Sequence, residues 1–313
     1  MSRSLDFADD ILRTGSKIHY ISCYAEQNRT QFIKDFNKIL DCGYDVVHLH
    51  TKQWKSLLVE ELCRQRGVKK VIVHSHSTRC DNNDDEKRRQ ETEAHYKIRT
   101  LFNESLATDF WACSREAADW LFGDRIPASR IQIMNNAIET KRFLFNEEIR
   151  ARLRAEYALD GMCLVGHVAR MVYQKNHRFL LRAFARAYKA NQNLRLALVG
   201  DGEFRADLES LVRALGIQNA VLFLGKRDDV NDLYQMMDLF VLPSHFEGNP
   251  IVAIEAQAAG LRVLLADNIS READVMGNVT YLPLDESAWA EAIAAAPSYK
   301  RKNRSEEHTS ELQ

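Results

Sequence analysis

The sequence predicts an α/β protein built from two Rossmann-like halves that face a cleft. Two observations carry this prediction. Short runs of valine, isoleucine and leucine alternate with amphipathic segments of helical length, the pattern of parallel strands covered on both faces. The series also occurs twice, with a join around residues 136–146, in a chain of 313 residues whose 45% apolar content is enough for two ordinary cores.

In the first half, "YDVVHLH" (Tyr44 to His50), "KKVIVHSH" (Lys69 to His76) and "DFWACS" (Asp109 to Ser114) read as buried parallel strands. Helices are expected between them, near Trp54 to Arg66 and Asp84 to Asn103. The second half runs "CLVGHVAR" (Cys163 to Arg170), "RLALVGDG" (Arg195 to Gly202), "AVLFLG" (Ala220 to Gly225), "LFVLPS" (Leu239 to Ser244) and "RVLLAD" (Arg262 to Asp267). Its helices are expected at His177 to Ala190, Ala206 to Leu215, Val230 to Met237 and Pro250 to Ala259. The halves divide at residues 1–143 and 144–303. Ligands of such sheets bind beyond the carboxyl ends of the strands, so the residues just after each strand are the candidates for function.

Composition narrows the classes. Lys and Arg (43) nearly balance Asp and Glu (44), which argues against a nucleic-acid partner. The six cysteines contain no C-x-x-C pair and read as buried thiols in a reducing compartment, neither a disulfide frame nor a zinc site. "MSRSLDFADD" has no apolar signal core and no stretch approaches the roughly 18 apolar residues of a membrane span, so a cytoplasmic location is expected. The charge run "DNNDDEKRRQE" (Asp81 to Glu91) reads as a solvated helix start. A second use of Lys87, Arg88 and Arg89 is peripheral contact with anionic headgroups at the inner face of the membrane.

The most informative stretch is "HFEGNPIVAIEAQAAG" (His245 to Gly260). After a strand comes a polar turn, then Pro250 at the expected first helical position with Asn249 as its cap. Gly248 keeps the turn bare. Free N–H groups at such a helix start form an anion site that suits a phosphate. Glu255 lies about 7 to 8 Å further along the axis, at 1.5 Å per residue. Its helical neighbours Ile251, Val252, Ala258 and Ala259 are apolar, so an unpaired charge there would be costly. A sugar diol offers two donors that would satisfy it. Glu247 stands on the other side of the phosphate position, and a nucleotide sugar would span both carboxylates.

This stretch resembles the E-x7-E motif of retaining glycosyltransferase family 4, which has the two-Rossmann GT-B fold. "GHVARMVYQKNH" (Gly166 to His177), "LVGDGE" and "FLGKRDDV" match further landmarks of that family. The resemblance runs from about Lys17 to Pro297 and is closest to bacterial exopolysaccharide and capsule transferases of the EpsF type. It implies that Arg170 and Lys175 meet the donor diphosphate and Glu255 the ribose. It implies that Glu247, with the backbone of Gly248, Asn249, Pro250 and Ile251, holds the transferred sugar and its phosphate. Arg227 lies in the segment that would face the base, and His76 matches the histidine that reaches the sugar across the cleft, with His74 and His50 as competitors. The implied reaction moves a sugar from a nucleotide sugar, UDP favoured, to a lipid-linked or oligosaccharide acceptor in cell-surface polysaccharide synthesis. No cofactor and no metal are expected, since no D-x-D follows a strand.

Three other readings stand beside this one: a nucleotide-sugar-binding domain without turnover, an epimerase on the same fold, and a dinucleotide oxidoreductase suggested by "VGDGEFR", where Arg205 replaces the third glycine of the fingerprint. The resemblance also implies a first domain without its opening strand and Gly-rich loop, and a second without its final crossing helix. Residues 304–313, "RSEEHTSELQ", read as the translation of a short-read sequencing adapter.

Overall fold

A computed structural model of the protein describes residues 7–296. The adapter-like tail falls outside the described residues. The first unit contains α1 (Ala8–Arg13), α2 (Arg29–Leu40), β1 (Val46–Thr51), α3 (Leu58–Gln65), β2 (Lys70–Ser75), α4 (Asp85–Arg99), β3 (Asp109–Ala112), α5 (Arg115–Leu121) and β4 (Ile131–Ile133). The second contains α6 (Glu147–Glu156), β5 (Cys163–Val168), α7 (His177–Ala190), β6 (Leu194–Val199), α8 (Arg205–Ala214), β7 (Val221–Gly225), α9 (Val230–Met236), β8 (Leu239–Leu242), α10 (Ile251–Ala258), β9 (Arg262–Ala266), β10 (Val279–Leu282) and α11 (Glu286–Ala294).

Both sheets are parallel throughout. The first runs β1-β2-β3-β4 in chain order. The second runs β7-β6-β5-β8-β9-β10, so the chain starts at its centre, winds out to β7, then crosses back to β8 and winds the other way. Its direction of winding reverses between β5 and β8, and the loops that leave those two strands diverge there. Such a reversal opens a crevice at the carboxyl end of the sheet.

Each sheet has its own core. Val71, Val73, Phe110, Phe102 and Phe122 anchor the first, and Leu164, Leu196, Leu198, Phe240 and Val241 the second. Ile131 and Ile133 pack in the first cluster, Ile138 and Phe143 in the second. Helix starts follow the sequence chemistry: Asn28 accepts from the Gln31 amide, Asp84 from Lys87, Ser114 from Ala117 and Asn146 from Ile149. Helix α6 buries only Leu153 and is held electrostatically. Its Arg150 and Arg154 reach the buried Asp238 at 2.5 and 3.1 Å, and Asp238 also accepts from the Leu164 amide at 2.7 Å, tying α6 to the start of β8 and to β5.

Four of the six thiols (Cys63, Cys80, Cys113 and Cys163) are buried as expected, whereas Cys42 is exposed at the end of α2, a correction to the all-buried reading. Among the described residues, no helix is long and apolar enough to cross a membrane.

Glu60 in α3 is buried, and its Oε2 has no partner among the described residues. Burial pushes its carboxyl from 4.5 up to about 7, and the adjacent Glu61 charge adds to the rise. The folded protein therefore holds this proton more tightly than the unfolded chain. Stability is greatest below the unfolded value, falls as pH rises through the window from 4.5 to about 7, and stays low above it. At about 1.4 kcal/mol per pKa unit the loss is on the order of 3 kcal/mol. Glu60→Gln is expected to flatten the pH dependence of thermal unfolding across this window and to exceed the parent's stability above it.

Candidate functional site

The crevice is walled by the loops after β5 and β8. The first runs from Ala169 to Asn176. It is held by the turn after β6, where the Met171 amide donates to the Asp201 carbonyl at 2.9 Å and the Phe204 amide donates to the Met171 carbonyl at 3.1 Å. Gly200 makes this possible. Its φ is +131°, and a Cβ there would lie 2.0 Å from the Ala169 carbonyl oxygen. The "VGDG" turn is thus accounted for by backbone close approach to the Arg170 loop.

The two loops interlock. Lys175 Nζ meets Glu247 Oε1 at 2.6 Å, with 15% and 6% of the side chains exposed. Gln174 Nε2 donates to Glu247 Oε2 at 3.1 Å and to the Phe246 carbonyl at 3.0 Å, and the His245 amide donates back to the Gln174 carbonyl at 2.8 Å. Both oxygens of Glu247 are therefore engaged by the loop after β5. Gln174 is a functional neighbour that sequence reading missed; only its place in the polar "YQKN" turn marked it.

Helix α10 begins at Ile251, one residue later than expected, with Pro250 in the capping position. Asn249 does not cap it, which corrects the sequence reading: its Nδ2 turns to the first unit and donates to the Cys113 carbonyl at 3.3 Å, while its buried Oδ1 finds no donor among the described residues. One side of α10 (Ala253, Ile254, Ala256 and Gln257) is buried. Ile251 (43% exposed), Val252, Glu255 and Ala258 form the more open side. Glu255 is half-buried, and among the described residues no basic side chain is bonded to it. Its Oε2 accepts from the Tyr234 hydroxyl of α9 at 2.9 Å, and Oε1 has no partner among the described residues. Burial raises the Glu255 carboxyl above its ordinary range, opposed by the Tyr234 hydroxyl and the Arg142 charge. Tyr234 was invisible in sequence because its ring reads as core, and it is fully buried.

The first unit closes over this crevice. The Thr78 hydroxyl donates to the Glu247 carbonyl at 3.2 Å, Asn136 Nδ2 to the Asn249 carbonyl at 2.7 Å, and the Tyr173 amide to Asn83 Oδ1 at 2.7 Å. Arg170, whose side chain is 62% exposed, faces Asp81 at 3.5 Å. A Cβ at Gly248 would lie 2.6 Å from the His76 carbonyl oxygen and 2.8 Å from Cys113 Sγ. The phosphate seat expected beside Gly248 is therefore covered in this conformation, because the missing side chain admits the first unit's backbone. His76 follows β2 at this contact. Its Nε2 lies 2.7 Å from His50 Nδ1, and burial together with the His50 ring pushes its pKa down to about 4. His74 is buried on the sheet face instead. Arg227, after β7, is turned into a two-pronged pair with Asp229 at 2.7 and 2.6 Å.

The segment at residues 81–91 is an inter-unit contact rather than a purely solvated helix start. Arg88 pairs with Asp85, donates to the Asn82 carbonyl at 2.5 Å and lies 3.4 Å over the Tyr173 ring, so it is not free for lipid headgroups as the sequence had suggested.

A profile of glycosyl transferases group 1 matches residues 150–302, the span that contains this crevice. Over 305 residues the chain is 32% identical to a Bacillus subtilis protein named as a glycosyltransferase, EpsF, covering 95% of this chain and 78% of that one. The chain belongs to the group 1 glycosyltransferases. A UDP-Gal:alpha-D-GlcNAc-diphosphoundecaprenol alpha-1,3-galactosyltransferase of Escherichia coli is 25% identical to this glycosyltransferase over 237 residues, 72% of this chain and 58% of that one. The structure of Anabaena HepE in complex with UDP and glucose superposes with a TM-score of 0.74 at 20% identity, covering 92% of this chain and 78% of that chain, which shows the shared GT-B fold.

In this glycosyltransferase the Lys175–Glu247 pair should behave as a buried unit. Lys175→Met leaves a buried carboxylate with Gln174 alone and is expected to cost about 3–5 kcal/mol. Lys175→Met combined with Glu247→Gln, which removes the stranded charge, should recover most of that loss in urea denaturation.

Proposed function

We propose that this glycosyltransferase is a family 4 enzyme that transfers a sugar from a UDP-sugar, with retention, to a lipid-linked or oligosaccharide acceptor in cell-surface polysaccharide synthesis. The observation that carries this reading is the convergence, at the strand-order reversal, of a basic loop, a helix start and a half-buried carboxylate with one free oxygen. The UDP-Gal and diphosphoundecaprenol in the name of the E. coli relative and the UDP held by HepE support the donor and acceptor classes.

In this reading Glu255 Oε1 accepts from the ribose hydroxyls while Tyr234 fixes the other oxygen. The diphosphate lies at the start of α10, where the first-turn amides supply partial positive charge. Arg170 moves from Asp81 to the diphosphate, and Lys175 reaches it from its place beside Glu247. Glu247 and the orphaned Asn249 Oδ1 accept from the sugar. The bond between the anomeric carbon and the phosphate oxygen breaks with its electron pair passing to the diphosphate. The acceptor oxygen bonds to the anomeric carbon on the same face, and its proton passes to the departing phosphate. The cations and amides stabilise the charge that grows on the leaving group, so the transfer needs neither a carboxylate nucleophile nor a metal ion. The donor enters with the first unit lifted from Gly248, and closure brings His76 to the sugar side of the crevice. The acceptor approaches from the first unit's side, and the reaction runs at the cytoplasmic face of the membrane.

Titration calorimetry with UDP tests the assignment. Glu255→Ala removes a charged hydrogen-bond acceptor worth about 1.5–3 kcal/mol and is expected to weaken UDP about 10- to 100-fold. Unchanged affinity would reject Glu255 as the ribose ligand. Retention is read separately, from the anomeric configuration of the product by NMR.

A further inference from the structure

On the first sheet two H-x-H pairs lie side by side. His48 and His50 of β1 project from one face, since residues two apart on a strand share a face. Strand register sets His50 opposite His74 of β2, and His74 opposite Trp111 of β3. Three imidazoles are thereby gathered on one patch, with the Trp111 ring edge-on to His48 and His74 as its wall. His48 Nε2 and His74 Nδ1 are 3.2 Å apart, and one ring nitrogen from each of His48, His50 and His74 lies within 4.8 Å of the others.

We propose that His48, His50 and His74 form a binding site for a divalent transition metal of the zinc class. Metal–nitrogen bonds of about 2.0–2.1 Å in a tetrahedron place neighbouring nitrogens about 3.3 Å apart. The His48–His74 separation already matches that edge. His50 is exposed at the open side of the patch, and its ring nitrogen already lies within 4.8 Å of those of the other two. His74 is 7% exposed, so its ring is fixed on the sheet face with Nδ1 turned to His48. His76 supplies an outer partner: its contact with His50 Nδ1 at 2.7 Å orients that ring, the role such neighbours play around metal-bound histidines.

Three imidazoles without a thiolate or carboxylate suit zinc, copper, nickel and cobalt ions better than magnesium or calcium, which prefer oxygen ligands. The metal has a way in. His48 and His50 line a cavity of about 840 Å³ together with Thr51, Lys52, Glu60 and Arg170. A fourth coordination position pointing into that cavity would take water or an oxygen of a bound molecule. The sequence shows the two H-x-H pairs openly, but it carries no ligand spacing along one segment; the site exists only through the pairing of β1 with β2.

Cobalt(II) titration of the whole purified chain, followed by the visible absorption bands of tetrahedral cobalt and by competition with zinc, tests the site. One equivalent of tetrahedral cobalt, displaced by one equivalent of zinc, is expected. His48→Ala and His50→Ala, both at exposed positions, should each weaken zinc at least tenfold, and the double variant should abolish the absorption bands. His19→Gln, outside the patch, should leave both unchanged. If His74→Gln fails to fold, the two exposed variants still decide. Substoichiometric binding, octahedral spectra, or zinc affinity unaltered in the double variant would overturn the proposal.

Discussion

The molecule is organised by one buried ion pair. Lys175 and Glu247 sit on loops that leave β5 and β8 in opposite directions, and nothing in either strand forces those loops to meet. Their contact turns a topological gap into a fixed crevice. Gln174 completes it by occupying the second carboxylate oxygen, so Glu247 is held at both oxygens before any ligand arrives. Breaking one member would leave a desolvated charge, which is why the arrangement behaves as a unit.

A second layer of constraint acts between the two sheets. Arg170 faces Asp81, Gly248 lies under the His76 carbonyl, and both side chain and carbonyl of Asn249 are engaged by the first unit. Each cation of the crevice therefore has an internal carboxylate as its counter-charge. A bound diphosphate would compete with Asp81 and Glu247 rather than fill an unbalanced field. Affinity in such a site comes from exchange of partners, with the backbone amides of α10 supplying what the side chains do not.

Much of this was legible in the residues. All eight strands expected from β-branched runs are present, because strands buried on two faces cannot hide their apolar character. The two missed strands, "IQI" and "VTYL", are short edge strands with little buried surface. Helix α6 was missed for the opposite reason: its sequence, "EEIRARLRAE", is held by arginines on Asp238, an anchor 84 residues away that no local period reveals. Glu255 could be singled out because a carboxylate among alanines is chemically conspicuous. Tyr234, which shares its proton with that carboxylate, could not, since a tyrosine in an apolar helix reads as packing. The covering of Gly248 was equally hidden, because it depends on where the first unit's backbone comes to rest.

That covering has a redox consequence. Cys113 is almost wholly enclosed beneath Gly248, and burial pushes its thiol up to about 12, so the nucleophilic thiolate is suppressed while the units are together. The sulfur belongs to the first unit's core and also abuts the second unit's turn at Gly248, so it is sealed from both sides. An oxidant has no path to this thiol in the closed arrangement, which protects it from the oxidation that an exposed thiolate would suffer.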